Sequence, residues 1–70
     1  VNIGDLEEIK DNTTIDPIFL ENNGYIKSSM KPVKILGNGK ISKQITISAS
    51  AFSNSAKAKI EKVGGKTILL

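Results

Sequence analysis

Lysine is the residue type that offers most chemistry in this sequence. The 70 residues include no His and no Cys, so the chain lacks the commonest general base and the most reactive thiol nucleophile. Every basic residue is Lys, and nine of the ten lie after residue 21. An ammonium group is a compact cation that binds phosphate as a point charge. These residues therefore favour binding of an anion over catalysis.

The net charge of +3 is divided unevenly along the chain. Residues 1 to 21 contain six acidic residues and one Lys, whereas residues 22 to 70 contain nine Lys and one acidic residue, Glu61. A segment this cationic attracts polyanions, of which phosphate backbones are the commonest. The alternative is a solubilising surface that faces water. The planar guanidinium group of Arg is the group best suited to paired hydrogen bonds with base edges. Because the chain has no Arg, sequence-specific recognition of bases is not favoured.

The candidate binding residues form two groups in the sequence. One group surrounds the Gly37-Asn38-Gly39 segment, whose exposed amides could contact a phosphate, and the other surrounds the second predicted helix and its exit. The candidate phosphate-binding residues, which are RNA-binding residues if the polyanion is RNA, are Lys34, Gly37, Gly39, Lys40, Lys43, Lys57, Lys59, Lys62 and Lys66.

The Gly-rich segment does not match a nucleotide-binding loop. A Walker-type loop needs Gly where Lys34 stands and Ser or Thr where Ile41 stands. A dinucleotide fingerprint needs Gly in place of Ser42 and a helix after it, where a strand is predicted. The segment is therefore predicted to be a tight turn between strands.

The other polar clusters have simpler interpretations than a catalytic or metal site. Ser53 and Ser55 have no His or Cys partner and are predicted to cap a helix. The early acidic residues lack the spacing of a calcium loop. We interpret them as a solvated or protein-facing acidic rim, and we expect no metal and no cofactor. Those early acidic residues are Asp5, Glu7, Glu8 and Asp11.

The first helix is predicted from its end signals. Asp16 and Pro17 are suited to the cap and first position of a helix, and Gly24 is suited to its end. The helix has barely two turns, so Ile18, Phe19 or Leu20 must dock on a sheet. Residues 11 to 14, which precede it, are predicted to be a loop.

The central strands are predicted from alternation of apolar and polar residues. Val33 and Ile35 share one face of a strand, with Lys34 on the other. The next strand runs from Ile41 through Ile45 and Ile47, with a bulge or loop near residues 42 and 43, where the alternation fails.

The second helix follows at once and is the longer of the two. Its apolar stripe consists of Phe52, Ala56, Ile60 and Val63, and it ends at Gly64 and Gly65. Residues 66 to 70 are predicted to be a last strand, either covered on both faces or paired at an edge. The predicted order is strand, helix, strand, strand, helix, strand, which is a mixed α/β (α+β) domain.

These residues resemble the carboxy-terminal domain of the bacterial large-subunit ribosomal protein numbered fifteen. The resemblance covers nearly the whole chain and rests on about ten typed positions at fixed spacing. The central positions are Lys34, Ile35, Leu36, Gly37, Asn38, Gly39, Ile41, Ile45, Ile47, Phe52, Ser53, Ala56, Ile60 and Gly64. Residues 1 to 6, Asp16-Pro17, Leu20 and residues 24 to 27 are similar to the family's approach to that motif.

The resemblance implies a small irregular β-β-α layered domain with two short helices packed on short strands. It also implies a structural constituent of the large ribosomal subunit that is not an enzyme and needs no small-molecule substrate. Its partners would be large-subunit rRNA, contacted through the lysine-rich surface, and neighbouring ribosomal proteins. The alternative from another class is a non-ribosomal protein-interaction module whose basic face meets an acidic partner.

The chain is short enough to be one domain, and we expect residues 1 to 70 to form a single globular domain. The family carries a preceding arm rich in Gly, Arg and Lys, which this sequence lacks. The first residue is Val and no leader precedes it, so we expect a fragment or processed piece of a cytosolic-type protein. No apolar run approaches the roughly 18 residues of a membrane helix. The expected location is a cytoplasmic ribosome, with an organellar ribosome left open.

Overall fold

The chain folds into short helices and short strands, with three strands in succession between the two α-helices where two were predicted. The computed structural model describes all of residues 1 to 70. The helices are a 3₁₀ helix at Ile3–Leu6, α1 at Pro17–Asn22 and α2 at Asn54–Lys62. The strands are β1 at Thr14–Ile15, β2 at Lys34–Ile35, β3 at Thr46–Ala49, β4 at Ala51–Phe52 and β5 at Lys66–Leu69. The predicted mixed α+β class is confirmed.

Two small parallel sheets hold these elements together. The first has three strands in the order β1-β3-β5, and the second pairs β2 with β4. In the first sheet Thr46 of β3 is in register with Thr14 of β1 and with Lys66 of β5. A parallel bridge between Asn2 and Leu36 adds the extended start of the chain beside β2. The amino-terminal segment is therefore part of the structure that supports the Gly-rich segment.

The core is entirely apolar and forms one contiguous cluster. Eight of its thirteen buried residues are Ile, whose branched side chains pack well on pleated strands. The buried residues are Ile3, Leu6, Ile9, Ile15, Leu20, Val33, Ile35, Ile41, Ile45, Ile47, Ala49, Ala56 and Ile60. No polar or charged residue falls in the buried class, so every charged group is at least partly exposed.

Helix α1 begins and ends as predicted. The backbone N–H of Phe19 donates a hydrogen bond of 2.7 Å to the Asp16 carboxylate, and Pro17 occupies the first helical position. Gly24 follows the helix with a φ of +79°, a conformation that disfavours side chains. Of the three residues expected to dock, Leu20 is buried and Phe19 is half-buried, whereas Ile18 is 62 % exposed.

Helix α2 has the predicted cap and two buried residues of the predicted stripe, but Phe52, also predicted for that stripe, lies in β4 before the helix and is half-buried. The N–H of Ala56 donates to the Ser53 hydroxyl at 3.1 Å, and both Ala56 and Ile60 are fully buried. Val63 is half-buried at the end of the helix, and Gly64 takes a φ of +85°. The stripe packs α2 on the sheet and leaves its lysines exposed.

The segment Gly37–Gly39 lies between two strands as predicted, but the predicted tight turn is wrong, because the segment begins a longer connection from β2 to β3. Strand β2 pairs with β4, and β3 belongs to the other sheet, so the segment connects two sheets and forms no hairpin. The strand predicted from Ile41 begins only at Thr46. Ile41 and Ile45 are buried as predicted, but carboxylates accept the N–H groups of Ser42 and Gln44 in place of a neighbouring strand.

The loop predicted for residues 11 to 14 is wrong at its end, because Thr14 begins β1. Thr14 and Ile15 are branched at Cβ, which suits a strand, and β3 supplies the partner that the local sequence does not reveal. Before the strand, Asn12 has a φ of +63°, and its N–H donates to the Gln44 carbonyl at 2.7 Å.

The last strand lies at a sheet edge, which decides between the two predicted placements. Strand β5 pairs with β3 alone. Ile68, Leu69 and Leu70 are 46 %, 70 % and 68 % exposed. The outer edge of the three-stranded sheet is therefore open on this side.

Candidate functional site

The structure brings three of the seven predicted lysines together at one groove. The groove lies between the loop that follows Gly37 and the last turn of α2, and it has a volume of about 380 Å³. Its lining residues are Gly39, Lys40, Ile41, Ser42, Lys59, Lys62 and Val63. Lys40, Lys59 and Lys62 are all exposed, while Ile41 is buried and Val63 half-buried. The groove thus combines an apolar lining with three ammonium groups.

The other predicted lysines lie outside this groove. Lys34 is on β2, in register with Ala51 of β4, and Lys57 is on α2 but does not line the groove. Lys66 begins β5 and lines a separate polar cavity that also includes Asn12 and Gln44. Lys43 is half-buried in the loop before β3. The predicted residues are therefore spread over more than one part of the surface.

Lys59 differs from the other lysines because its ammonium group is hydrogen-bonded within the chain. Its Nζ donates to the carbonyl oxygen of Gly37 at 2.7 Å and to that of Gly39 at 3.1 Å. These contacts tie the last part of α2 to a loop 20 to 22 residues earlier in the sequence. Lys59 is thus both a groove residue and a support of the loop. No local sequence pattern predicts that Lys59 supports the loop, because the carbonyl groups that it contacts lie 20 and 22 residues earlier.

Gly37 and Gly39 are required where the chain passes close to other backbone segments. A Cβ atom on Gly37 would lie 2.1 Å from the Ser55 hydroxyl oxygen and 2.9 Å from the Ala56 nitrogen. Gly39 has a φ of +92°, and a Cβ atom there would lie 2.6 Å from the Cα of Gly4. The two glycines allow the loop to pack against α2 on one side and the 3₁₀ helix on the other. Gly39 also lines the groove.

Two acidic residues of the amino-terminal segment support the loop that leads to β3. The Glu7 carboxylate accepts the Ser42 N–H at 2.8 Å and also the Ser42 hydroxyl. The Asp11 carboxylate accepts the Gln44 N–H at 2.6 Å. Sequence reasoning assigned these acidic residues to a rim and missed this role, because the partners lie more than 30 residues away.

These hydrogen bonds affect the ionisation of Glu7. The Ser42 hydroxyl and the Ser42 N–H, together with the charge of Lys43, hold the pKa of Glu7 below its ordinary value, although partial desolvation opposes them. The ionised carboxylate is the form that can accept both hydrogen bonds. Glu7 therefore fixes Ser42, one of the groove residues, in neutral solution.

A second cavity, of about 530 Å³, lies on the acidic side of the molecule and is lined by Gly4, Asp5, Glu7, Glu8 and Tyr25. The Tyr25 hydroxyl donates to the Glu8 carboxylate at 3.1 Å. Partial burial raises the pKa of Tyr25, and the hydrogen bond and negative charge of Glu8 add to the effect. No group of three or more His, Cys, Asp or Glu side chains is arranged to hold a metal ion.

The fold and the groove together define a class of protein. This is a small α+β domain that presents a lysine-lined groove beside a loop held by its own backbone contacts. No helix has both the length and the apolar character that crossing a membrane requires.

Comparison with known proteins identifies the family. The model of a family described as ribosomal proteins, comprising 50S-L15, 50S-L18e and a related 60S protein, matches residues 1–68. The chain is 43 % identical over 65 residues to large ribosomal subunit protein uL15 of Synechococcus sp. (strain CC9311), covering 93 % of the chain and 43 % of that protein. It is 41 % identical over 70 residues to large ribosomal subunit protein uL15 of Prochlorococcus marinus (strain MIT 9313), covering 100 % of the chain and 46 % of that protein.

The chain belongs to this family of ribosomal proteins. The resemblance drawn from the Gly-rich segment and the second helix is therefore confirmed. The chain spans less than half the length of the two curated relatives.

Proposed function

We propose that this chain is a structural constituent of the large ribosomal subunit, where it binds large-subunit rRNA through its lysine-rich surface and contacts neighbouring ribosomal proteins. In this proposal residues 1 to 70 act as a single globular domain without catalytic activity. The ribosome concerned is in the cytoplasm or in an organelle. Family membership supports the ribosomal role, since both relatives are named as large-subunit proteins.

The observation that carries the RNA-binding part is the clustering of Lys40, Lys59 and Lys62 at one groove. Three neighbouring cations repel one another unless an anion lies between them, so their placement on one concave surface favours a polyanion. Binding of RNA phosphates by these groups would release condensed counterions and gain free energy without reading the base sequence.

The aromatic residues favour backbone recognition over stacking of unpaired bases. Phe19 and Phe52 are half-buried and pack against the core, and Tyr25 is bonded to Glu8 on the acidic side. No aromatic side chain lines the lysine groove. The proposed contact therefore involves the shape and the phosphates of folded RNA, which is the common mode for structured RNA.

A salt titration tests this function and separates it from the protein-interaction alternative. Binding of the chain to purified large-subunit rRNA is measured by filter retention at several KCl concentrations between about 50 and 200 mM. We expect log Kobs to fall linearly with log salt, with a slope of about −0.7 to −0.9 for each phosphate engaged. A chain that binds an acidic protein but retains no rRNA at the lowest salt concentration would support the alternative module.

A further inference from the structure

The lysine groove differs from a solvated patch of lysines because one of its cations is held in place. Most exposed lysines have a freely rotating ammonium group, which loses conformational entropy when it binds. The Lys59 ammonium is restrained by the Gly37 and Gly39 carbonyls at 2.7 and 3.1 Å. An ammonium group has three N–H donors, so one remains for a ligand.

We propose that this groove is a binding site for one phosphodiester of the RNA backbone, with Lys59 as the fixed donor and Lys40 and Lys62 as the mobile ones. The inference rests on the proposed function and deepens it by naming the site and the group bound. It divides the nine predicted residues into those that bind this phosphate and those that do not.

The wall of the groove opposite α2 is also held in place. Gly39 packs on Gly4 so closely that a Cβ atom would lie 2.6 Å from the Gly4 Cα. Ser42, further along the same wall, is bonded through its N–H and its hydroxyl to Glu7. A site whose walls are already ordered loses less entropy on binding than one that must be assembled.

The lining of the groove matches the two parts of a sugar–phosphate backbone. Val63, which is half-buried, and the small exposed part of Ile41 provide apolar surface, and the three lysines provide positive charge. Ribose carbons can pack on the apolar residues while the phosphate oxygens accept hydrogen bonds from the ammonium groups. A free inorganic anion would use only the second of these features, so the lining favours a polynucleotide.

The position of the groove on α2 makes binding depend on the lysines. Lys59 and Lys62 lie in the last turn of the helix, and the carboxyl end of a helix carries partial negative charge. The helix itself therefore does not attract a phosphate there. Removal of single lysines from the groove should consequently have measurable effects.

The experiment compares three substitutions with the same loss of charge. Lys40→Gln and Lys62→Gln remove exposed groove lysines, and Lys31→Gln removes an exposed lysine outside the groove. Binding to large-subunit rRNA is measured over the same salt series. We expect each groove variant to make the slope shallower, by at most about 0.7 to 0.9 because the groove holds one phosphate, and Lys31→Gln to leave it unchanged.

Lys59 is tested separately because it also supports the loop. Lys59→Met keeps an unbranched apolar side chain out to Cε and removes the ammonium group. We expect it to reduce the salt slope and to shift the backbone amide resonances of residues 37 to 40, whereas Lys62→Gln should leave those resonances in place. If Lys59→Met changed neither quantity, Lys59 would not be the fixed donor.

The outcomes separate this proposal from the function on which it rests. If the parent chain binds rRNA and all three Gln variants show its slope, the phosphate site is elsewhere and the ribosomal role stands. If the parent chain does not bind rRNA, the RNA-binding function and the phosphate site both fail. A shallower dependence of log Kobs on log salt for Lys40→Gln and Lys62→Gln, but not for Lys31→Gln, would support the phosphate site.

Discussion

Ile60 shows how closely single residues are packed where α2 meets the sheet. Its side chain is fully buried, and its Cγ2 methyl group would lie 2.9 Å from a Cβ atom added to Gly65. The Gly65 N–H also donates to the Ile60 carbonyl at 2.9 Å. Side chain and backbone at this position thus both contribute to the transition from α2 to β5.

Ile60→Ala is expected to lower the free energy of unfolding by about 2 to 5 kcal/mol, because truncation leaves a cavity in the core. Chemical denaturation followed by circular dichroism measures the change. Ile18→Ala is the matched control, since Ile18 is 62 % exposed, and we expect its effect to stay within about 0.5 kcal/mol. Equal losses in the two variants would contradict the packing described for Ile60.

Tyr25 reports on the acidic side of the molecule because it is the single Tyr and there is no Trp. Partial burial is the main cause of its raised pKa, and the Glu8 carboxylate adds to it by stabilising the neutral phenol. Ultraviolet absorption at alkaline pH can therefore follow this one group without interference from other aromatic residues.

Glu8→Gln is expected to lower the pKa of Tyr25 without returning it to the ordinary value. The substitution removes the negative charge that disfavours the phenolate, but the burial that contributes most to the shift remains. A spectrophotometric titration of the parent and the variant measures the change. Glu61→Gln, on helix α2, is the control and should leave the titration curve unchanged, because Glu61 is not among the charges that act on Tyr25. A Tyr25 pKa that is the same in the Glu8 variant and the parent would contradict the hydrogen bond.

At the scale of elements, the connection from β2 to β3 shows how a segment without regular structure is held. Its glycines pack against α2 and the 3₁₀ helix. Lys59 donates hydrogen bonds to two of its carbonyl oxygens. The carboxylates of Glu7 and Asp11 accept hydrogen bonds from two of its N–H groups. These partners satisfy backbone groups that a strand would otherwise satisfy. The connection is thus held by contacts with α2, with the 3₁₀ helix and with the irregular segment between the 3₁₀ helix and β1.

The Glu7 contact predicts acid sensitivity. The pKa of Glu7 is lower in the folded chain than in the unfolded one, so its stabilising contribution is complete above the unfolded pKa. This contribution is lost as the pH falls through the folded pKa. We expect the melting temperature of Glu7→Gln to lie below that of the parent at pH 7 and the difference to shrink towards pH 3.

Thermal unfolding followed by circular dichroism at a series of pH values measures this difference. Glu61→Gln provides the control, because the Glu61 side chain forms no hydrogen bond and its substitution should leave the pH profile of the parent unchanged. A gap between Glu7→Gln and the parent that stayed constant from pH 7 to pH 3 would show that the ionised carboxylate does not hold Ser42.

At the scale of the whole molecule, acidic and basic residues come from different parts of the chain but line neighbouring sites. The acidic cavity around Tyr25 includes Gly4 and Glu7, which contact Gly39 and Ser42 of the lysine groove. The excess of lysine in the later part of the chain attracts a polyanion. In the proposed function the lysine side faces the RNA.

The double variant Lys57→Glu with Lys62→Glu is expected to weaken association with large-subunit rRNA and to leave the fold intact, since both residues are exposed on α2. If each lysine engages a phosphate, the salt slope becomes shallower by about 1.4 to 1.8.

The matched control is Lys27→Glu with Lys31→Glu, which changes the net charge equally at exposed positions that belong neither to α2 nor to the groove lining. Filter binding measures both, and circular dichroism confirms folding. Equal weakening by the two pairs would show that net charge, and not the α2 surface, determines binding.

The sequence alone determined the features that depend on neighbouring residues. Asp16 and Pro17 at the start of α1, Ser53 at the start of α2, and glycines just beyond both helices act through local backbone geometry and adjacent N–H groups. The division of charge and the spacing that indicates the family are also properties of the sequence itself. These could be predicted because each depends on a few consecutive residues.

Only the tertiary structure decided how distant segments meet. It paired β1, β3 and β5 in parallel and placed β2 and β3 in different sheets. It also brought the Glu7 carboxylate to Ser42 and the Lys59 ammonium to the carbonyls of Gly37 and Gly39. These contacts join residues 20 or more positions apart. Their formation depends on how the whole apolar core packs, which no local pattern specifies. The sequence could therefore name the lysines, but packing of the core selected the three that share a groove.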